Sequence, residues 1–105
     1  MISITTGEKF IQNFKFGVVT AKFNSEVTDK LEAGALATLK ERGCSENHIT
    51  SVRVPGAFEI PLAVQALLSH GCDAVIALGA VIRGETSHYD FVCNAVESGC
   101  SELQL

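Results

Sequence analysis

Residues 77–91 read ALGAVIRGETSHYDF, an apolar run that breaks at Gly79, continues through polar residues and enters a helical pattern at His88. This order predicts a buried strand whose carboxyl end opens into a loop and then into a helix. Open α/β sheets bind ligands at the carboxyl ends of their strands. Since imidazole exchanges protons near neutral pH, His88 is predicted to act as an acid–base group at a ligand site.

The sequence on either side of this stretch alternates between strand and helix patterns. Short β-branched or apolar runs predict three strands over Lys15–Ala21, His48–Val54 and Asp73–Ile82. Helical patterns follow each of them, and the last is predicted over His88 to about Leu103. The order β-α-β-α-β-α predicts a parallel sheet with right-handed crossovers. The unbroken apolar run of the third strand predicts burial on both faces.

Each predicted helix has an apolar face and recognisable end signals. Asn24 and Ser25 are N-cap candidates for the first helix, and Gly43 and Gly71 are placed to end the first two helices. Pro61 is tolerated in the first turn of the second. The residues predicted to face the core are Val27, Leu31, Ala35 and Leu39 in the first helix, Ile60, Val64, Leu67 and Leu68 in the second, and Val92, Ala95, Val96, Gly99 and Leu103 in the third.

Composition limits the class of protein. The chain has 105 residues, 47% of them hydrophobic, and a formal net charge of −4, which fits one small globular domain and argues against a nucleic-acid partner. Its longest near-apolar run, residues 74–82, is far shorter than the roughly 20 residues of a membrane-spanning helix. Met1–Phe10 lacks the order of a signal peptide, so we expect a cytoplasmic protein or a mature chain whose targeting segment has been removed. Met1–Thr6 predicts an additional edge strand.

The cysteines and histidines predict neither a disulfide nor a metal site. Cys93 and Cys100 lie seven residues apart in a predicted helix, about 10.5 Å along its axis, whereas a disulfide needs Cα atoms within about 7 Å. We therefore expect all four cysteines, which include Cys44 and Cys72, to be reduced thiols. The three histidines are scattered, and His48 and His70 have the positions of solvated or helix-capping residues.

Three strand-to-helix junctions, residues 21–25, 54–59 and 82–88, are predicted to meet at one edge of the sheet, here called the rim. Phe23 either stacks on a planar ligand or folds onto the core. Gly56 either lets backbone N–H groups approach a ligand or forms a turn. Glu59 either binds hydroxyl groups or stabilises the first turn of the second helix.

The polar residues of the third junction also leave two interpretations open. Thr86 and Ser87 are either N-caps of the third helix or phosphate ligands, and both roles use the same helix N-terminus. Arg83 either attracts an anion or forms a surface ion pair. Three helix N-termini at the rim favour a phosphorylated or polyhydroxylated ligand.

At this rim the sequence resembles the lumazine synthase family. The matching segments are Lys22–Asn24, Val54–Pro61 and Ala77–Tyr89, and their order and separations also fit. The resemblance implies a flavodoxin-like three-layer α/β/α sandwich with a parallel sheet. It also implies pentamers, in some members an icosahedral shell of sixty subunits, and riboflavin synthase as a candidate partner.

The resemblance further implies the penultimate step of riboflavin biosynthesis. In that step a transferase condenses 5-amino-6-ribitylaminouracil with 3,4-dihydroxy-2-butanone 4-phosphate to 6,7-dimethyl-8-ribityllumazine, releasing phosphate and water. No cofactor or metal is implied. The alternatives are a non-catalytic module that binds a flavin or ribityl compound, and a shell-forming structural protein with a vestigial site.

Site residues follow from the resemblance by position. Phe23 would stack on the pyrimidine, and Val81 and Ile82 would contact its edge through their backbone. His88 would move protons during imine formation, phosphate elimination and ring closure. The ribityl chain and the phosphate would be held by two short segments: Gly56, Ala57, Phe58 and Glu59 for the ribityl chain, and Gly84, Glu85 and Thr86 for the phosphate.

The chain differs from the family pattern in its length. We expect residues 1–105 to be a single domain equivalent to about the N-terminal two-thirds of the family domain, without the last core strand and the last two helices. In the family that remainder supplies a phenylalanine and an arginine to the site across a subunit interface. We therefore expect the site of this chain to be incomplete by itself.

Overall fold

The computed structural model describes residues 13–82 and 88–104, which form an α/β fold around a parallel sheet. The expected edge strand Met1–Thr6 lies outside the described residues. The elements are β1 Phe16–Ala21, α1 Ser25–Glu41, β2 Ile49–Val54, α2 Ile60–Ser69, β3 Ala74–Leu78 and α3 His88–Gln104, with 3₁₀ turns at Glu46–His48 and Ala57–Glu59. The predicted alternation of strands and helices is confirmed.

The described strands pair in the order β2-β1-β3, and both pairings of the central strand β1 are parallel. Side chains of β1 alternate between two apolar clusters. Val18 packs with Leu39 and Cys44 beneath α1, whereas Val19 packs with Ile60 and neighbouring apolar residues of α2. Helices therefore cover both faces of the sheet, which agrees with the predicted three-layer, flavodoxin-like architecture.

The third strand departs from its prediction in length and in burial. It ends at Leu78 rather than at Ile82, and residues 79–82 form a loop. The expected burial on both faces is wrong, because Ala74 and Ala77 are exposed. Within the described residues β3 is an edge strand that pairs only with β1, so the apolar run lacks a neighbour on its other side.

The predicted apolar face of α1 is buried in its second half only. Leu39 is buried and Ala35 half-buried, as predicted, whereas Val27 and Leu31 are 46% and 40% exposed and the prediction is wrong for them. Thr28 is buried instead, and polar contacts hold the N-terminal half of α1 to the sheet. Of the residues predicted to face the core in α2, only Leu68 departs from the prediction, being partly exposed while the others are buried or half-buried.

Arg53 on β2 makes those polar contacts. Its guanidinium lies 2.6 Å from Glu32 Oε1 and 3.2 Å from Asp29 Oδ1, so it connects the sheet to two successive turns of α1. Ser51 Oγ donates to Glu32 Oε2 at 3.4 Å. The hydrogen bond from Arg53 and its positive charge hold the pKa of Glu32 below its ordinary value.

Glycine ends both α1 and α2, as predicted. Gly43 and Gly71 have φ of 93° and 102°, the left-handed conformation that glycine adopts without steric cost. The next residue then donates back to the helix, Cys44 to Leu39 at 2.9 Å and Cys72 to Leu67 at 3.1 Å. Pro61 lies in the first turn of α2, also as predicted.

All four cysteines are free thiols. His70 Nδ1 lies 2.7 Å from the carbonyl oxygen of Ala66, which fits the helix-capping position predicted for it at the C-terminus of α2. In the part of the chain that the structure describes, no helix is both long enough and apolar enough to cross a membrane.

Gly99 lets α3 pack closely against the start of α2. A Cβ atom at this position would lie 2.7 Å from Cβ and Cγ of Pro61, a distance at which one helix must move. Gly34 is also inside a helix, but a Cβ there would meet no atom within 4 Å. The two glycines therefore have the same helix propensity and different surroundings.

We expect Gly99→Ala to lower the free energy of unfolding by about 1–3 kcal/mol, because the added methyl group overpacks the α2–α3 contact. The matched change Gly34→Ala should raise it by up to about 1 kcal/mol through helix propensity alone. Urea unfolding followed by circular dichroism measures both changes. Equal effects of the two substitutions would show that α3 does not depend on the close approach.

Because of the contact between Glu32 and Arg53, part of the free energy of unfolding should be lost at acidic pH. A carboxyl group whose pKa is lowered by folding stabilises the protein above its ordinary pKa of 4.5 and loses that contribution as the pH falls. We expect Glu32→Gln to flatten the decline in unfolding free energy between about pH 6 and about pH 3. Glu41→Gln removes an exposed carboxylate of the same helix and should keep the wild-type slope. Parallel slopes for wild type and Glu32→Gln would contradict the assignment.

Candidate ligand site

The carboxyl ends of the three strands surround a cavity of about 510 Å³. All three junctions of the predicted rim contribute to it. Its lining consists of Phe23, residues 55–59, residues 80–82, and Tyr89, Phe91 and Val92 of α3. Ligand cavities in proteins have volumes of about 300–1,000 Å³, so this one is large enough for a small organic molecule.

The aromatic ring of Phe23 is exposed at this cavity. It is 70% exposed, so the alternative in which Phe23 folds onto the core is wrong. Backbone hydrogen bonds hold this segment beside the second junction: Lys22 N–H donates to Val54 O at 2.7 Å, and Phe23 N–H donates to Pro55 O at 3.0 Å. The ring is therefore fixed at the rim in a position where a planar ligand could stack on it.

Phe58 and Phe91 form a second aromatic group at the cavity. Their ring centroids are 5.8 Å apart with an interplanar angle of 11°, an offset stacked arrangement. The rings are 51% and 63% exposed. Tyr89 and Phe91 were not predicted as site residues, because the first turn of a helix is a common place for surface side chains. The stacking of Phe91 on Phe58 depends on how α3 crosses the second junction, which the sequence does not reveal.

Glu59 makes a local hydrogen bond in addition to lining the cavity. Its Oε2 accepts a hydrogen bond from Gly56 N–H at 3.0 Å, so the carboxylate closes the turn that precedes α2. A Cβ atom at Gly56 would lie 3.3 Å from this oxygen, and the backbone of Gly56 is extended, with φ −148°, so its conformation does not require glycine. The helix-stabilising interpretation of Glu59 therefore holds, and both residues also line the cavity.

The third junction is described only in part. Val81 and Ile82 line the cavity, and Ile82 is 69% exposed. Gly84, Glu85 and Thr86, predicted for the phosphate, lie outside the described residues, as do Arg83 and Ser87. His88 is the first residue of α3, and its side chain also lies outside the described part of the structure.

Asn24 differs from its prediction as a helix cap. It occupies the N-cap position of α1, but its side chain makes no capping hydrogen bond. Nδ2 instead donates to the carbonyl oxygen of Ala80 at 2.8 Å, across 56 residues of sequence. The side chain thus joins the first junction to the third.

The described lining is mainly apolar and aromatic, and within residues 13–82 Glu59 is the one ionisable side chain that lines the cavity. Such a surface can hold a flat ring between apolar groups and accept hydrogen bonds at one edge. In the part of the chain that the structure describes, no three histidine, cysteine, aspartate or glutamate residues are grouped as metal ligands would be.

Known proteins match the chain over nearly all of the described part. A family model described as 6,7-dimethyl-8-ribityllumazine synthase matches residues 13–105. The 6,7-dimethyl-8-ribityllumazine synthase of Bdellovibrio bacteriovorus is 57% identical over 91 residues, which are 87% of this chain and 50% of that protein. The chain thus spans about half the length of this curated relative.

The double role of Glu59 predicts different stabilities for two substitutions. Glu59→Ala removes the acceptor for Gly56 N–H and should lower the free energy of unfolding by about 1 kcal/mol, the usual effect of losing a helix-start hydrogen bond. Glu59→Gln keeps an acceptor oxygen and should cost less. Thermal unfolding of both variants measures the difference, and a Glu59→Ala protein as stable as wild type would contradict the prediction.

Proposed function

Because the chain belongs to the 6,7-dimethyl-8-ribityllumazine synthase family, we propose that the cavity at the rim binds 5-amino-6-ribitylaminouracil and that the protein is a transferase of riboflavin biosynthesis. The reaction joins this amine to 3,4-dihydroxy-2-butanone 4-phosphate and gives 6,7-dimethyl-8-ribityllumazine, phosphate and water. The Bdellovibrio relative is named for this product. Its name favours the enzyme over the non-catalytic binding module and over the structural shell protein.

The observation that carries the proposal is the exposed ring of Phe23, which lines one cavity together with Val81 and Ile82. A pyrimidine is planar and can stack on Phe23 while the backbone of the third junction meets its edge. The ribityl chain would extend along residues 56–59, where the carboxylate of Glu59 accepts hydrogen bonds from hydroxyl groups.

The chemistry requires proton transfer but no nucleophile from the protein. The amine attacks the ketone, and the resulting carbinolamine loses water to give an imine. Elimination of phosphate leaves an enol, which becomes a ketone. The ribityl-bearing nitrogen attacks this ketone, and loss of a second water closes the ring, so each step moves a proton. We assign these transfers to His88 at the start of α3 and the phosphate to Gly84, Glu85 and Thr86. Holding two reactants in one cavity supplies a further part of the rate.

Assembly into homo-oligomers belongs to the same proposal. Val27, Leu31 and Leu62 are large apolar side chains exposed on the two sides of the sheet, and exposed apolar surface of this kind is typical of subunit contacts. We propose that the protein is a pentamer, with a shell of sixty subunits as the alternative assembly. We further propose that it works in the cytoplasm, with riboflavin synthase as a candidate partner. Light scattering distinguishes the pentamer from the shell.

The test of the proposed function combines a binding and a turnover measurement. Titration calorimetry of the chain with 5-amino-6-ribitylaminouracil should show binding, and incubation with both substrates, followed by the absorbance of 6,7-dimethyl-8-ribityllumazine, measures whether the chain also completes the reaction. Binding without turnover would favour the non-catalytic module. The absence of both, in a folded protein, would contradict the proposal.

We expect His88→Ala to slow lumazine formation by about 10²–10⁴-fold, because removal of a general acid–base group leaves the positioning of the reactants intact. Binding of 5-amino-6-ribitylaminouracil should change little. His70→Ala, at the far end of α2, is the matched control and should retain the wild-type rate. A His88→Ala protein with wild-type turnover would show that another group moves the protons.

A further inference from the structure

Asn24 has an unusual backbone conformation for a side chain of its size. It is the one non-glycine residue with positive φ in the described part of the chain, at φ 64° and ψ 47°. Asparagine tolerates this left-handed region better than most residues, although glycine tolerates it best. The conformation therefore does not explain why an amide side chain stands here, whereas the hydrogen bond to Ala80 does.

The start of α1 fixes the direction of this side chain. The carbonyl oxygen of Asn24 accepts hydrogen bonds from Val27 N–H at 3.0 Å and from Thr28 N–H at 3.1 Å. The backbone of Asn24 is thus held by the helix, and its amide Nδ2 reaches the carbonyl of Ala80 at 2.8 Å in a partly buried position. A hydrogen bond between two segments held in this way constrains their separation.

The hydrogen bond between Asn24 and Ala80 lies beyond the last residue pair of the sheet. Pairing between β1 and β3 ends at Thr20 and Leu78. Beyond these residues, the segments that follow the two strands are no longer joined by the backbone hydrogen bonds of the sheet. Asn24 connects them again at Ala80, immediately before the backbone of Val81 and Ile82. On its other side Phe23 is already bonded to Pro55. Asn24, the residue after Phe23, therefore sets the position of residues 80–82 relative to the first junction.

We propose that Asn24 is a positioning residue of the ligand site, which fixes the gap between the ring of Phe23 and the backbone of Val81 and Ile82 through its bond to Ala80. This inference rests on the proposed function for the identity of the planar ligand, the uracil ring of 5-amino-6-ribitylaminouracil. The amide of Asn24 acts on the ligand through Ala80.

Three substitutions separate the side-chain bond from the backbone conformation. Asn24→Gly retains the left-handed conformation and removes the amide. Asn24→Asp keeps the size and the tolerance of positive φ, but a carboxylate cannot donate to a carbonyl oxygen. Ser25→Gly is the matched control, since this exposed neighbour begins the same helix and lies outside the cavity lining.

We expect Asn24→Gly and Asn24→Asp to bind 5-amino-6-ribitylaminouracil about 3- to 10-fold more weakly, because part of the binding free energy must then order the third junction. Affinity for 3,4-dihydroxy-2-butanone 4-phosphate should stay close to that of Ser25→Gly, and the midpoint of thermal unfolding should fall by only a few degrees, the effect of one lost hydrogen bond within the protein. A loss confined to the ring-bearing substrate is not expected of a residue that serves only the stability of the fold. Wild-type affinity in both Asn24 variants would overturn the proposal, as would a loss shared by both substrates and by Ser25→Gly.

A second measurement does not need the ligand. Hydrogen–deuterium exchange of the amides of Ala80, Val81 and Ile82 should be faster in Asn24→Gly than in wild type or Ser25→Gly, because the segment opens more easily once the carbonyl oxygen of Ala80 no longer accepts the bond from Asn24. If wild type binds neither substrate but exchange at these amides rises in the variant, the proposed function fails and the positioning role stands. Unchanged exchange would overturn the positioning role whatever the binding result.

Discussion

The central position of β1 is the constraint on which the rest of the structure depends. Val18, Val19 and Thr20 are at most 1% exposed, and hydrogen bonds to parallel strands occupy both edges of β1. Because all described strands run in one direction, their carboxyl ends reach the same edge of the sheet. The backbone bond from Phe23 to Pro55 and the side-chain bond from Asn24 to Ala80 extend this alignment beyond the strands. The cavity is thus a consequence of the pairing of β1.

Close packing on one face of the sheet completes the cavity. A Cβ at Gly17 would lie 2.7 Å from Leu67, and a Cβ at Gly99 would lie equally close to Pro61, so glycine allows α2 to approach the sheet and α3 to approach α2. The approach of α3 brings Phe91 onto Phe58. An aromatic site can therefore depend on glycines that lie outside it, because they determine where the helices carrying the rings are placed.

The sequence predicted the elements and their order better than the orientation of individual side chains. Strand runs and helix-ending glycines are local signals, and the structure follows them. The exposure of Val27 and Leu31 was not predictable, because the contacts of Arg53 on β2 with Asp29 and Glu32 of α1 leave no local pattern in the sequence. Asn24 was predicted as a local cap, since nothing nearby in the sequence indicates a partner 56 residues away. For Phe23, the residues alone left open whether the ring is exposed at the rim or folded onto the core, and only the family resemblance favoured the exposed position that the structure shows.

Glu59 shows why folding and ligand binding need not compete at this site. A carboxylate has two oxygens and about four acceptor positions, and the bond from Gly56 N–H uses one position on Oε2. Hydroxyl groups of a ribityl chain could therefore bind the same carboxylate without breaking the turn that precedes α2. The hydrogen bond from Gly56 also fixes the direction of the Glu59 side chain before a ligand binds, which reduces the entropy lost on binding. In the proposed function, Glu59 would therefore meet the ribityl hydroxyl groups with a carboxylate that the start of α2 already holds in place.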